Sequence, residues 1–350
     1  MFYLMAMAKR RYSRKGSKIQ PAAQTFTFAV PLAAGSSDTF IDLSQVASLV
    51  NRRFYRQGIN WAVANVKITM LPTAGVIPAQ AYVNTIPHNW GVANGWLKTM
   101  KTWKKQQDDA IAESGSESSI ARFRDFKIFA DIDHVSAGFS ANLIPQTMGP
   151  GTTLGPYQPG LIPGAPVTLG EWEESLIVVP NALTDASGSE VDPTEYKLHM
   201  VGVNNNGGLS RGIIDGYEHS RAYPQSPDPA TPAIDNTANW MRLMFDVGND
   251  NSEITENATD RNNELPYPQA DYPGSQNNMN QLETQGYVLN ASTVGVTTFN
   301  TGPFTAPCGL IRLDFQEQSA TGDVGTFNVI TVELVPGNHR GYLCETMEEF

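Results

Sequence analysis

Short stretches of alternating apolar and polar residues, separated by segments rich in turn-forming residues, set what this chain can fold into. Successive side chains of a strand point to opposite faces, so period-two alternation marks a half-buried strand. TFTFAV (25–30) alternates Phe26, Phe28 and Val30 with smaller or polar neighbours. DTFIDL (38–43) is a second short strand, and INWAVANVKITML (59–71) is a long one rich in β-branched and aromatic residues. RFRDFKIFADIDHV (122–135) is predicted as a strand with a bulge, through Phe123, Phe126, Ile128 and Ile132. SLIVVP (175–180), YKLHMVGV (196–203), WMRLMFDVG (240–248), YVLNASTVGVTTF (287–299), GLIRLDFQ (309–316) and TFNVITVELVPG (326–337) complete the set. The 30 glycines and 23 prolines favour strands joined by long loops.

Two segments carry helical periodicity instead. Ser44 is expected to cap a short helix through SQVASLVNRRF, with Val46, Leu49 and Val50 on its apolar side. Over residues 92–113, Trp96, Met100, Trp103 and Ile111 recur near one helical face, and Lys98, Lys101, Lys104 and Lys105 are offset from it. SGSES (114–118) ends that helix. Helices do not alternate with strands, which excludes a doubly wound parallel sheet. The expected class is all-β, a sandwich, barrel or jelly roll, with one or two helices and insertions near 136–170, 204–237 and 249–285.

Charge is segregated along the chain. Residues 1–127 hold 17 Lys/Arg against 7 Asp/Glu, a net of +10, while residues 128–350 hold 7 against 28, a net of −21. The positive charge is densest at Lys9, Arg10, Arg11, Arg14, Lys15 and Lys18, with no acid before Asp38. Residues 1–22 are too polar and basic to offset the entropy of ordering, and read as a disordered arm on a body starting at residue 23. Six such cations can each neutralise a phosphate and release its counterion, so the arm is a candidate for sequence-independent nucleic-acid binding. The same run also reads as a nuclear localisation signal or a solubilising tail. Arg52, Arg53 and Arg56, flanking Phe54 and Tyr55, form a second basic group, and the lysine face of the 92–113 helix with Arg122 and Arg124 a third. Each can line the same nucleic-acid-facing surface or be a solvated face.

Other chemistry is sparsely represented. Asp131, Asp133 and His134 resemble a metal cluster, but in a strand His134 faces away from the two carboxylates. Asp246, Asp250, Glu253, Glu256 and Asp260 could hold Ca²⁺ at a subunit contact, although they lack the ordered spacing and glycine of an EF-hand. No resident metal or cofactor is expected. Glu171, Glu173 and Glu174 surround Trp172 without a partner carboxylate elsewhere. GxSxG, Walker, HExxH and helix-opening GxGxxG patterns are missing, and His88, His134, His199, His219 and His339 are scattered, so an enzyme is not expected. Cys308 and Cys344 read as two reduced thiols. No apolar run approaches the length of a membrane span. MFYLMAM followed by the basic run reverses the order of a secretory signal.

Three stretches carry a family resemblance. LSQVASLVNRRFYRQGINWAVANVKITML (43–71) resembles the short helix and following strand of small icosahedral shells. IPHNWGVANGWLKTMKTWKK (86–105) with RFRDFKIFADIDH (122–134) resembles a segment of the capsids of circular Rep-encoding single-stranded DNA viruses, especially the bacilladnavirus-like group. GLIRLDFQ and TFNVITVELVPGNHRGY (326–342) resemble the paired last strands of those shells. The resemblance covers residues 1–135 and 285–342. It implies an eight-stranded single jelly roll and self-assembly of many copies into an icosahedral virion. The arm would point inward onto a packaged genome of single-stranded DNA, with passage through the host nucleus during assembly. Nodavirus- and tombusvirus-type RNA shells share the fold. It implies no membrane insertion and does not name a host receptor. The alternative is a non-enzymatic β-sandwich attachment protein whose long loops bind a receptor or glycan.

Overall fold

A computed structural model describes residues 21–31, 35–70, 76–114, 124–148, 154–156, 170–179, 194–204, 210–222, 282–289, 296–319 and 327–347. The chain opens with β1 (Thr25–Pro31) and β2 (Gly35–Asp42), followed by helix α1 (Leu43–Asn51), the twelve-residue β3 (Ile59–Met70) and β4 (Val76–Thr85). Phe26, Phe28 and Val30 are buried, as the alternation predicts. The cap of α1 is Asp42 and not Ser44: its carboxylate accepts from the backbone N–H of Ser44 and Gln45 at 2.9 and 3.2 Å. Ser44 is itself inside the first turn, where its hydroxyl donates to the Arg56 carbonyl at 3.1 Å.

Helix α2 (Trp90–Glu113) follows, capped by Asn89, whose side chain accepts from Val92 N. Trp96, Met100 and Trp103 face inward from it. Of the strand predicted over 122–135, residues 122 and 123 lie outside the described residues, and from Arg124 the chain makes an extended run and then α3 (Ile132–Ala137). The extended run makes one isolated bridge, Phe129 to His199. Asp131 accepts from His134 N at 2.8 Å and so starts a helix where the alternation suggests a strand. A 3₁₀ turn (Phe139–Ala141) precedes a short hairpin of β5 (Gln146–Met148) and β6 (Leu154–Pro156). Then come β7 (Leu176–Val179), β8 (Thr194–His199), β9 (Ser210–Gly212) and α4 (Ile213–Ala222). Four α-helices are thus present among the described residues, where one or two were expected.

The C-terminal part contributes β10 (Glu283–Val288), β11 (Thr297–Asn300), β12 (Phe304–Ala306), β13 (Leu310–Ser319), β14 (Phe327–Leu334), β15 (Pro336–Gly337), β16 (Gly341–Tyr342) and β17 (Cys344–Thr346). The single strand expected over 287–299 is two strands in different sheets. Asn290, Ser292 and Gly295 are turn formers that separate them in the sequence. The strand expected over 240–248 lies outside the described residues.

Two antiparallel sheets make the body. One runs β1-β14-β3-β11, with β12 and β17 also on β3, and the other runs β10-β4-β13-β2. Phe26, Phe28, Val66, Ile68, Ile330 and Val332 of the first share one core with Ile41, Val83, Leu313 and Phe315 of the second. The molecule is therefore mostly antiparallel β-sheet with a sandwich core. A second core gathers Trp96 of α2, Phe126, Ile128, Ile177, Leu198, Met200 and Ile213 around the three-stranded sheet β7-β8-β9. The strands predicted over 175–180 and 196–203 are found in part, as β7 and β8, with 200–203 lying beyond the end of β8, and both belong to this second unit.

Candidate nucleic-acid interface

Lys9, Arg10, Arg11, Arg14, Lys15 and Lys18 lie outside the described residues. The place where that segment joins the body is well defined. Arg53 Nη1 donates to the Pro21 carbonyl at 3.1 Å. Ala23 N donates to Asn51 Oδ1 at 3.0 Å, and the Tyr342 hydroxyl donates to the Ala23 carbonyl at 2.6 Å. The root of the arm is thus held beside the end of α1 and the second basic group.

The loop after α1 alternates outward cations with inward anchors. Arg52 ends the helix in the left-handed region (φ 55°) and is exposed. Tyr55 is fully buried; its N–H donates to Ser48 Oγ and its hydroxyl to the Arg340 carbonyl. Arg56 is exposed. Gln57 is buried again and joins the two cores. Its amide donates to Asp42 Oδ2 and the Ile128 carbonyl, both at 3.1 Å, and its oxygen accepts from Ile128 N at 2.6 Å. Burial pushes the Asp42 carboxyl up to about 6, although Gln57, Gln45, Trp172 and Ser44 donate to it. Burial likewise raises Asp125, which accepts from Gln57 N, to about 6.

Between this loop, α2 and the 339–346 tail lies a groove of about 780 Å³. Its lining includes Phe54, Trp96 and Trp103 among the aromatics and Arg56, Lys104 and Arg340 among the cations. Trp96 enters because residue 58 is glycine: a Cβ there would stand 2.2 Å from the indole ring. Phe126 backs both indoles, with ring centroids 5.9 Å from Trp96 and 5.5 Å from Trp103. Arg340 adopts a left-handed backbone (φ 51°), and its guanidinium donates to the Phe54 carbonyl. Arg124, at the groove's edge, is ion-paired with Asp108.

The lysine face of α2 divides. Lys101, Lys104 and Lys105 are exposed. Lys98 turns to α4, donating to Ser220 Oγ at 2.8 Å; burial, and then the nearby Arg221, lower its pKa to about 8. Arg122 lies outside the described residues.

Asp131 and Asp133 do share a cation, but it is Arg312. That guanidinium reaches Asp131 at 2.5 Å, Asp133 at 2.7 Å, Asp38 at 2.9 Å and Asp314 at 2.6 Å. His134 turns inward, stacked 4.2 Å from Phe40 with Nε2 2.9 Å from Asn142 Oδ1. Glu174 pairs with Lys197 at 2.7 Å, and the Trp172 indole donates to Asp42 at 3.0 Å. Among the described residues no three His, Cys, Asp or Glu side chains are placed to hold a metal. Asp246, Asp250, Glu253, Glu256 and Asp260 lie outside them. Cys308 and Cys344 are both free thiols.

The structure thus joins Arg56 and Lys104, from the second and third basic groups, in one groove, and places Arg53 at the root of the arm. Sequence reading missed Phe54 as a wall residue, and it missed Arg340. The available signal for Arg340 was a cation inside GNHRGY, in a strongly acidic half of the chain. No helix among the described residues is long and apolar enough to cross a membrane. No protein-family model matches the chain, and no curated protein or solved structure is significantly similar to it.

Proposed function

We propose that the chain is a single jelly-roll capsid subunit that self-assembles into an icosahedral shell and packages a single-stranded genome through its basic N-terminal arm. The order of strands in the two main sheets carries the reading. Taking β1, β2, β3, β4, β10, β11, β13 and β14 as strands one to eight, the antiparallel pairs include one with eight, two with seven, three with six and four with five. Strand eight also pairs with three, and strand seven with four. A long hairpin rolled into two facing sheets has this pairing, and viral shells are among the main users of such a roll. The charge segregation supports the packaging role: the cations of residues 1–127 include the arm, Arg53 at its root, and Arg56 and Lys104 in the groove.

Size-exclusion chromatography and electron microscopy of the purified protein, with and without nuclease, test the reading. Closed particles protecting nucleic acid are expected. A strict monomer at every concentration and salt overturns it, and glycan-array binding by such a monomer favours the attachment-protein alternative.

A further inference from the structure

We infer that the groove between the 54–59 loop, α2 and the 339–346 tail is a binding site for a nucleotide unit of single-stranded nucleic acid, built from residues other than those of the arm. The inference rests on the proposed function for the identity of the polymer, and on the groove itself for the rest. Half-buried Phe54, packed against Trp172, and Trp103, packed against Phe126, line the groove with aromatic rings, and exposed Arg56, Lys104 and Arg340 line it with cations. A single strand presents the complement at every unit, a flat base and an anionic phosphate. The Arg124–Asp108 pair cancels internally, which leaves three cations against Asp125 in the lining. The volume of about 780 Å³ falls within the usual range for a small-ligand site.

A second observation points to a ligand. Trp96 is 94% buried and lines the groove, yet its indole N–H has no hydrogen-bond partner among the described residues. Buried indole donors normally find an acceptor. A base carbonyl or phosphate oxygen supplies one. The backbone of Arg340, in a region that L-residues seldom occupy, is held there by the Tyr55 hydroxyl on its carbonyl. Backbone conformations of this kind concentrate at binding sites.

The test uses the full chain, freed of bound nucleic acid, with a short bromouracil-substituted oligothymidylate. Photo-crosslinking followed by peptide mapping is expected to place adducts on the segments bearing Phe54, Trp96 or Trp103 as well as on the arm. The double variant Arg56→Gln/Lys104→Gln, changed only at exposed side chains, is expected to reduce the slope of log affinity against log salt by about 1.4. Trp103→Leu, with an unchanged circular dichroism spectrum, is expected to weaken binding about tenfold. A matched oligouridylate separates the sources: tighter binding of either polymer names it, and equal binding assigns both. Adducts confined to residues 9–18, together with wild-type salt slopes in the double variant, overturn the inference. Complete displacement by inorganic polyphosphate with no effect of Trp103→Leu also overturns it, because phosphate alone then accounts for binding. Microscopy of the same samples separates the two readings. Groove binding by a chain that never assembles sinks only the proposed function, and a shell with a silent groove sinks only this inference.

Discussion

Gly309 adopts φ 69°, and a Cβ built there would lie 2.9 Å from the Trp61 indole and 3.1 Å from Leu43 Cβ. Both the backbone and the space demand glycine, so Gly309→Ala is expected to destabilise the fold by more than about 1 kcal/mol in urea unfolding. Two pairs of ionisable groups, three of them buried and Asp125 half-buried, oppose one another in their dependence on pH. Asp42 and Asp125 titrate near 6 in the fold, above an ordinary carboxylate, because burial disfavours their charge. Their stabilising contribution is complete below about pH 4 and is lost as pH rises through about 6. His134 and His199 are held down to about 4 by burial, so their contribution is complete above the ordinary histidine range and is lost as pH falls toward 4. Within one window the two pairs largely offset each other. Asp42→Asn retains a competent helix cap and removes one of the carboxylates. Stability measured by chemical denaturation between about pH 4 and 6.5 should then rise more steeply with pH than in the wild type. An unchanged slope would show that Asp42 does not titrate there.

At the scale of elements, the main strands were the most legible part of the chain. Phe26, Phe28 and Val30 in β1, and Ile330, Val332 and Leu334 in β14, put every second residue into one core. β4 escaped because VIPAQAYVNT holds a proline and small alanines, which weaken the pattern although the strand lies centrally in its sheet. RFRDFKIFADIDHV misled because an extended segment beside β8 alternates much as a ladder strand does, and only the Asp131 cap marks the switch to α3. Nothing in the local pattern of α3 foretold its dock, since Arg312 and Asp38 lie far from it in sequence. Removing that dock should be costly. Arg312→Met leaves Asp131 and Asp314 without their cation, and about 2–4 kcal/mol of stability should be lost, chiefly as loosening of α3 against β13. Hydrogen exchange at residues 132–137 would read this, and unchanged protection there would count against the dock. The groove was illegible for a related reason: its walls come from three distant segments, and periodicity reports on one segment at a time.

For the whole molecule, Gln57 hydrogen-bonds both Asp42 and Ile128, so the body and the α2/β7–β9 unit share fully buried polar contacts. In the proposed shell the arm and the groove divide the work on nucleic acid. Deletion of residues 1–20 is therefore expected to leave particles that form but package poorly, as judged by the absorbance ratio of purified particles. Packaging at wild-type level would shift the contact to Arg52, Arg53, Arg56 and the exposed lysines of α2. The hydrogen bond from Arg53 to the Pro21 carbonyl turns this division into a matter of local concentration. Covalent geometry keeps Lys9, twelve residues before Pro21, within about 40 Å of that anchor. Arg56, on the groove, is three residues from Arg53 and so within about 11 Å of it along the chain. A strand caught by the arm is thereby confined to a small volume around the groove mouth. Its second capture becomes an intramolecular event, at an effective concentration that can reach the millimolar range. Two individually weak grips on one tether can then hold a polymer far longer than either could alone.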